Sequence, residues 1–188
     1  MNLESWKINS EYDIDNIVSL YTNVENEYIR SYDNKLPIFI LDNYRNNLNM
    51  LEKVVYDSVI FHLNRMNIEF DKNEHVIEYW CKKDNSEICN FHFDKDENLY
   101  NTYNTFSGPL FSCITYLSDG FDSTLISEMN YDTYKYKKFE TQNKICLSFP
   151  RKNIQITFDG TKCHGVVNIF DELENMRSDR NILVINIW

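Results

Sequence analysis

The sequence predicts an α+β fold in which N-terminal helices pack on one sheet of a double-stranded β-helix, the jelly-roll arrangement. Helical spacing of apolar residues is confined to residues 1–74. Residues 75–188 contain about eight short apolar runs separated by turn signals. Strands and helices do not alternate, which argues against a parallel α/β fold. We expect one domain, because 188 residues suffice for a single sizeable core.

The charge and composition exclude some classes of function. Hydrophobic residues at 43% and aromatic residues at 15% favour a folded chain. The net charge of −10 argues against a broad nucleic-acid surface, which needs Lys and Arg to meet phosphates. The one dense basic cluster, residues 135–138, is more typical of a solvated loop. A nucleic-acid partner is therefore not expected.

The cysteine pattern indicates a reducing, cytoplasmic setting. The count of five is odd, no Cys-x-x-Cys occurs, and each thiol lies in an apolar run, as expected of small buried residues. The five are Cys81, Cys89, Cys113, Cys146 and Cys163. The N-terminus lacks the apolar core of a signal peptide, and no stretch is apolar enough to span a membrane.

The N-terminal part is predicted to hold the helices. A short helix is plausible over residues 14–21, and residues 36–41 form an apolar run of uncertain type. The clearest helix covers residues 42–66, with Asp42 as its cap and an apolar stripe three or four residues apart. His62 ends this stripe, and packing is the expected role rather than metal binding.

The remaining chain is predicted to form strands and loops. Residues 75–82 and 88–94 flank a turn at 83–86 and are expected to pair as a hairpin. Residues 96–107 and 129–142 are predicted to be loops, and residues 171–179 a charged link. Further strands are expected at residues 109–117, 123–126, 144–150, 154–158, 163–167 and 180–188.

A candidate metal site lies at the end of the strand predicted for residues 88–94. Side chains alternate along a strand, so His92 and Asp94 share one face, whereas Cys89, Phe91 and Phe93 face the core. His164 stands in a later strand. Two imidazoles and one carboxylate leave coordination positions open, which is the ligand set of non-haem Fe(II) oxygenases. The His-x-Asp pair alone is weakly specific, and a solvated strand end is the alternative.

In the order of its motifs, the chain resembles the 2-oxoglutarate- and Fe(II)-dependent dioxygenases, most closely their prolyl-4-hydroxylase-like branch. The resemblance covers about residues 76–188. The matching segments, in order, are His92-Phe93-Asp94, residues 109–119, Thr124 to Ile126, Phe158-Asp159-Gly160, Cys163-His164-Gly165-Val166, and the strand from Arg180 to Trp188.

The resemblance implies a cupin-like site with assigned roles. His92, Asp94 and His164 would bind Fe(II), and 2-oxoglutarate would chelate the iron. Arg180, with Arg177 as the runner-up, would meet the far carboxylate, for which a guanidinium offers a planar fork.

Other roles follow from the same resemblance. Tyr103 and Tyr116 are candidates for the co-substrate pocket, although a core or surface position is the alternative in a chain with 13 Tyr. Ascorbate is a further cofactor of this family. The implied reaction is hydroxylation of an unactivated C–H bond with dioxygen, coupled to conversion of 2-oxoglutarate to succinate and CO2.

Departures from the family pattern leave the function open at two points. Only Thr124 fits a Gly-Gly-x-Thr segment common in this branch, and the link from His164 to Arg180 is long and charged. Two alternatives to a hydroxylase follow: a jelly-roll interaction protein without turnover, and a metal enzyme that does not use 2-oxoglutarate. The expected substrate is a peptidyl, prolyl-type group or a small molecule.

Overall fold

The computed structural model describes residues 4–7, 12, 15–17, 19, 38–41, 47–84, 90–136, 144–167 and 180–188. Three helices have bounds within these residues: α1 Met50–Arg65, α2 Glu97–Tyr103 and α3 Tyr131–Lys135. The strands are β1 Glu4–Lys7, β2 Phe39–Ile40, β3 Ile77–Asp84, β4 Phe111–Tyr116, β5 Ser123–Ser127, β6 Ile145–Ser148, β7 Ile154–Phe158, β8 His164–Val167 and β9 Arg180–Ile187.

The strands form two antiparallel sheets. The larger has the order β1-β7-β4-β9-β3-β2, and the smaller has the order β6-β5-β8. This mixture of helices and antiparallel sheets confirms the predicted α+β class, whereas the jelly-roll path of the chain stays a prediction. The strands expected near residues 75–82, 109–117, 123–126, 144–150, 154–158, 163–167 and 180–188 are all present.

Helix α1 begins later than the sequence predicted. Asn49 caps it in a capping box: its side chain accepts from the Glu52 amide at 2.9 Å, and the Glu52 carboxylate accepts from the Asn49 amide at 2.8 Å. This reciprocal pair satisfies the amides of Asn49 and Glu52 at the helix start, which are seven and ten residues after the predicted cap. Asp42 itself lies outside the described residues. Residues 15–17, within the predicted first helix, are helical.

The larger sheet divides the molecule into two packed regions. On one face, the buried side of α1 packs against alternate residues of β3, β4 and β9, such as Tyr79, Cys113 and Ile185. This arrangement agrees with the prediction of helices on one sheet. On the other face, Tyr116 and Ile182 pack with Ile126 of the smaller sheet. The strand alternation therefore sends one set of side chains toward the helix and the other between the sheets.

Several local predictions were wrong. Residues 90–94 do not form a strand; only His92 pairs, as an isolated bridge to His164. Among the described residues the predicted hairpin does not form, because β3 pairs with β9 and β2 instead. Phe91 is 51% exposed rather than in the core. Cys89 lies outside the described residues.

Two predicted loops contain short helices. Asp96 caps α2 by accepting from the Leu99 amide at 2.8 Å, and Asn130 caps α3 in the same way through the Thr133 amide. Residues 137–143 of the second loop lie outside the described part of the chain. Within that part, no helix is both long and apolar enough to cross a membrane.

The buried thiols are those the sequence predicted, with one difference. Cys81, Cys113 and Cys163 are buried, whereas Cys146 is only partly buried. Burial raises the pKa of the Cys113 thiol to about 12 and that of Cys163 to about 11. These thiols are accordingly protonated and unreactive in the folded chain at neutral pH.

Candidate metal centre and its cavities

Three predicted ligands come together at one point of the structure. The ligand atoms of His92, Asp94 and His164 all lie within 4.8 Å of one another. Each imidazole Nε2 is 3.6 Å from a different oxygen of the Asp94 carboxylate. Two ligand atoms that are each ~2.1 Å from one ion lie ~3.0–4.2 Å apart, so these separations fit a shared metal ion.

The two imidazoles are oriented by main-chain carbonyl groups. His92 Nδ1 lies 2.9 Å from the Asn90 carbonyl oxygen, and His164 Nδ1 lies 3.0 Å from that of Lys162. A carbonyl oxygen only accepts, so each Nδ1 carries a proton. In the neutral ring the lone pair is then on Nε2, the nitrogen that faces Asp94. This is the tautomer that binds a metal, and such hydrogen bonds fix the ring of a metal-binding histidine.

Electrostatics keep His164 in its neutral form. Burial lowers the pKa of this imidazole, and neighbouring His92 lowers it further, whereas Asp94 acts in the opposite direction. Asp94 is itself held by Asn186 of β9, whose Nδ2 donates to Oδ2 at 3.0 Å. The donor set is thus two imidazole nitrogens and one oriented carboxylate, which suits a borderline divalent ion such as Fe(II).

A bridge between distant segments builds the centre. The His92 amide donates to the His164 carbonyl at 2.9 Å, and the His164 amide donates back at 3.0 Å. The turn before β8 is fixed by Asp159, whose Oδ1 accepts from both the amide and the hydroxyl of Thr161. Gly160 is required there, since a Cβ at that position would lie 2.5 Å from the Pro109 carbonyl oxygen.

A small inner cavity of about 70 Å³ extends from the two histidines between the sheets. Lys82, Arg180 and Thr124 also line it, and Thr124 lies across from Val166, two residues beyond His164. Apolar side chains of β4 and β9 form its walls. Arg180 is only 1% exposed, and its Nη2 donates to Thr124 Oγ1 at 2.7 Å. The cavity therefore has metal-binding groups at one end and a buried cation at the other.

Tyr116 supports this polar end from behind. Its hydroxyl is 2.9 Å from Thr124 Oγ1 and 3.2 Å from the Ser148 carbonyl oxygen. The Arg180 guanidinium lies 5.9 Å from the ring centroid of Tyr116. Burial raises the pKa of Tyr116, against the smaller lowering effects of its hydrogen bonds and of Arg180. The phenol is thus a neutral group that orients Thr124.

The other sequence candidates lie elsewhere. Tyr103 is 71% exposed on α2 and lines neither of the two cavities at the metal centre. Arg177 lies outside the described residues. His62 lies on the buried face of α1, where it hydrogen bonds to Gln155 at 2.8 Å and Thr157 at 2.9 Å, consistent with the packing role predicted for it.

The metal centre also opens onto a large outer cleft of about 870 Å³. Aromatic side chains from β3, α2, α3 and the end of β9 line it, together with the carboxylates of Glu78, Asp96 and Glu97. Glu78 and Asn186 were missed by the sequence reasoning. Glu78 lies on the same face of β3 as Trp80, and Asn186 lies on the same face of β9 as Arg180. This two-residue alternation is the one sequence signal that could have identified them.

The fold is shared with solved oxygenase structures. The prolyl-4-hydroxylase of Pseudomonas putida is 10% identical over 99% of this chain and 85% of its own, with a TM-score of 0.51. The viral collagen prolyl hydroxylase of Paramecium Bursaria Chlorella virus-1, in complex with 2-oxoglutarate, is 13% identical over 100% and 95%, with a TM-score of 0.53. HygX of Streptomyces hygroscopicus, with nickel and 2-oxoglutarate bound, is 12% identical over 98% and 81%, with a TM-score of 0.51.

These likenesses confirm the predicted resemblance at the level of the fold. No protein-family model matches the sequence, and no curated protein is similar enough in sequence to match it. Sequence identities of 10–13% do not transfer an activity or a substrate to this chain. The function must therefore be argued from the residues of the site.

Proposed function

We propose that this chain is an Fe(II)- and 2-oxoglutarate-dependent oxygenase that hydroxylates an unactivated C–H bond. One observation carries the proposal: the His92–Asp94–His164 cluster opens onto a cavity whose far end holds the buried Arg180. A metal cluster alone fits many activities. A metal cluster joined by a short cavity to a buried cation fits a co-substrate with a chelating head and a distant carboxylate.

The three ligands would hold the iron and leave positions open for co-substrate and dioxygen. When bound, the iron and 2-oxoglutarate would supply the oxidant: one atom of dioxygen would enter succinate as CO2 is released, and the other would be inserted into the substrate C–H bond. The chain's own contribution is to keep both Nε2 lone pairs available and the Asp94 carboxylate oriented. The carbonyls behind the rings and the Asn186 amide do this.

Arg180 would bind the far carboxylate of 2-oxoglutarate. A guanidinium pairs with a carboxylate through two parallel N–H donors, and burial strengthens that pairing. Thr124 would add a hydroxyl at the same end, since its Oγ1 already accepts from Arg180. Tyr116 would position Thr124 rather than touch the co-substrate. Tyr103 has no part in this site because it lies at the surface.

The outer cleft would receive the substrate, a peptidyl group or a small molecule. Its volume of about 870 Å³ fits a sizeable ligand. The structural neighbours include prolyl hydroxylases, and HygX has been solved with hygromycin B bound. We further propose that residues 1–188 form one domain and that the two sheets are the layers of a jelly roll, because side chains from both line the inner cavity.

The test is an anaerobic titration of the purified chain with Fe(II) and then 2-oxoglutarate, followed by the visible charge-transfer band of the chelate. We expect the band in the wild type and in His75→Ala, a control that removes a histidine outside the cluster. His164→Ala should lose it. Iron binding without a band would refute the use of 2-oxoglutarate. Failure to bind iron would refute both metal-enzyme hypotheses and favour an interaction protein without turnover.

A second candidate is a metal enzyme of the same fold that does not use 2-oxoglutarate. The size of the inner cavity favours it, because about 70 Å³ is below the ~300 Å³ at which ligand pockets usually begin. Under this candidate, the wild type would bind iron tightly and the addition of 2-oxoglutarate would leave its spectrum unchanged. The titration above therefore separates the two.

A further inference from the structure

The outer cleft has an excess of negative charge. Glu78, Asp96 and Glu97 line it beside the metal ligand Asp94, and Lys95 is the one cationic side chain among its described lining residues. Lys95 is already engaged: its Nζ is 3.6 Å from Glu97 and 3.7 Å from the ring centroid of Tyr100. The remaining carboxylates have no matching cation within the described lining.

Glu78 is a partly buried carboxylate of this cleft, whereas Asp96 and Glu97 are exposed. It lies on the inner face of β3, next to Trp80 and directly across from Asn186 of β9. The Trp188 indole donates to Glu78 Oε2 at 2.7 Å, so the side chain is fixed in place. Burial, and then the charges of Asp94 and Asp96, raise the pKa of Glu78, whereas the Trp188 hydrogen bond lowers it. A bound cation would offset this repulsion.

A second group next to Glu78 indicates a hydrogen-bond donor in the ligand. Asn186 is 2% exposed and lines the cleft. Its Nδ2 donates to Asp94, but its Oδ1 accepts no hydrogen bond from any described residue. A buried carbonyl oxygen without a donor is costly. Because Asn186 lines the cleft, a small movement of its side chain on binding would give this oxygen an N–H partner in the ligand.

The walls of the cleft suit the same ligand. Trp80, Tyr131, Tyr134 and Trp188 line it, and aromatic faces attract ammonium and guanidinium groups. Lys95 over the Tyr100 ring shows the chain using this contact in the cleft. A neutral apolar ligand would use the rings but would leave the desolvated charge of Glu78 without a counter-charge.

We propose that the outer cleft recognises a cationic substrate group, an alkylammonium or guanidinium, with Glu78 as its partner. The role of the cleft as a substrate site rests on the proposed function, whereas the binding of a cation does not. The cationic group would pair with Glu78 Oε1, donate to Asn186 Oδ1 and lie against the aromatic wall. The C–H bond presented to the metal would then belong to a basic side chain of a peptide or to a free amine.

The test is a calorimetric titration with charged probes and their neutral twins. One arm compares 1,5-diaminopentane with 1,5-pentanediol, and the other compares an acetylated pentapeptide Gly-Gly-Lys-Gly-Gly with its norleucine twin. We expect at least one cationic probe to bind about tenfold more tightly than its twin, and the preference to shrink when salt is raised from about 0.05 M to about 0.5 M. The arm in which the cationic probe binds more tightly shows whether the cationic group belongs to a free amine or to a peptide.

A variant pair locates the site. Glu78→Gln should weaken the binding of the cationic probe about tenfold, whereas Glu69→Gln, which removes the same charge from an exposed position outside the cleft, should change it less than about twofold. Equal binding of charged and neutral probes overturns the proposal, as does unchanged affinity in Glu78→Gln. The probe comparison needs only wild type, so it stands even if the variant fails to fold.

The two proposals fail separately. Calorimetry with these probes requires neither iron nor turnover, so amine binding without the chelate band would refute the oxygenase and leave the cation site. A normal chelate band with no preference for cationic probes would refute the cation site alone.

Discussion

Arg180→Gln tests the buried cation at the end of the inner cavity. Arg180 is 1% exposed and donates to Thr124, so its guanidinium is held inside the cavity. Water cannot easily take its place as the partner of a bound carboxylate. A charge-assisted hydrogen bond to a carboxylate contributes about 1.5–3 kcal/mol, and the fork provides two of them. The Gln amide restores one neutral bond of about 1 kcal/mol, so the net loss is about 2–5 kcal/mol.

The loss converts into an affinity that can be measured. At 1.4 kcal/mol per tenfold, Arg180→Gln should raise the Kd for 2-oxoglutarate by about 30- to 4,000-fold. The assay is the anaerobic titration of the Fe(II)-loaded chain with 2-oxoglutarate, with the Kd for Fe(II) measured alongside. Fe(II) affinity should change little, because Arg180 is not one of the clustered ligands.

Two further variants calibrate this prediction. Thr124→Val removes a single hydroxyl at the same end and should give a smaller rise in Kd, about tenfold. Arg151→Gln removes the same charge from an exposed position between β6 and β7 and should leave the Kd for 2-oxoglutarate unchanged. If Arg180→Gln folds and binds 2-oxoglutarate within about threefold of the wild type, Arg180 is not the co-substrate anchor.

Three other predictions concern the fold. Gly160→Ala should lower the free energy of unfolding, measured in urea, by about 1–3 kcal/mol, because its Cβ would lie 2.5 Å from the Pro109 carbonyl oxygen. Gly108→Ala, whose Cβ would have contacts of 3.2 Å, should lower it less. Equal effects of the two substitutions would refute the clash. Asn49→Ala should lower the free energy of unfolding by about 1 kcal/mol through loss of the α1 cap, and an unchanged urea midpoint would contradict this. Because the pKa of Cys113 is about 12, this thiol should react with iodoacetamide at pH 8 about a thousandfold more slowly in the folded chain than in the unfolded chain. The reaction rate should rise with pH as the thiolate forms. Rapid labelling of Cys113 in the folded chain, detected by mass spectrometry, would refute this prediction.

Two of the three metal-site residues were predictable from local information, whereas His164 came from the order of motifs along the chain. Two-residue alternation places His92 and Asp94 on one side of an extended segment whether or not that segment pairs as a strand. The segment proved to be an isolated bridge rather than a strand, yet the two side chains still converge with His164. The inward direction of Arg180 followed from the same alternation along β9, once the helix-facing side of that strand was known.

Pairing between strands was not predictable in the same way. The hairpin expected for residues 75–94 rested on proximity in sequence, but β3 pairs along its whole length with β9, about a hundred residues away. The site residues that were missed, Glu78 and Asn186, face each other across this pairing. Short helices such as α2 were missed because their caps lie in polar stretches without an apolar stripe, so the turn chemistry of Asp96 was the one local signal.

The direction of the site residues is determined by the core on the opposite face of the sheet. On β9, Leu183, Ile185 and Ile187 are fully buried against the layer that contains α1, so Arg180 and Asn186 must point the other way. A slip of one residue in this strand would bury the polar side chains under α1 and turn the apolar ones into the cavity. The hydrophobic cost of that exchange is large. The packing of α1 therefore fixes the register that brings Asn186 to Asp94, although no residue of α1 lies in the site.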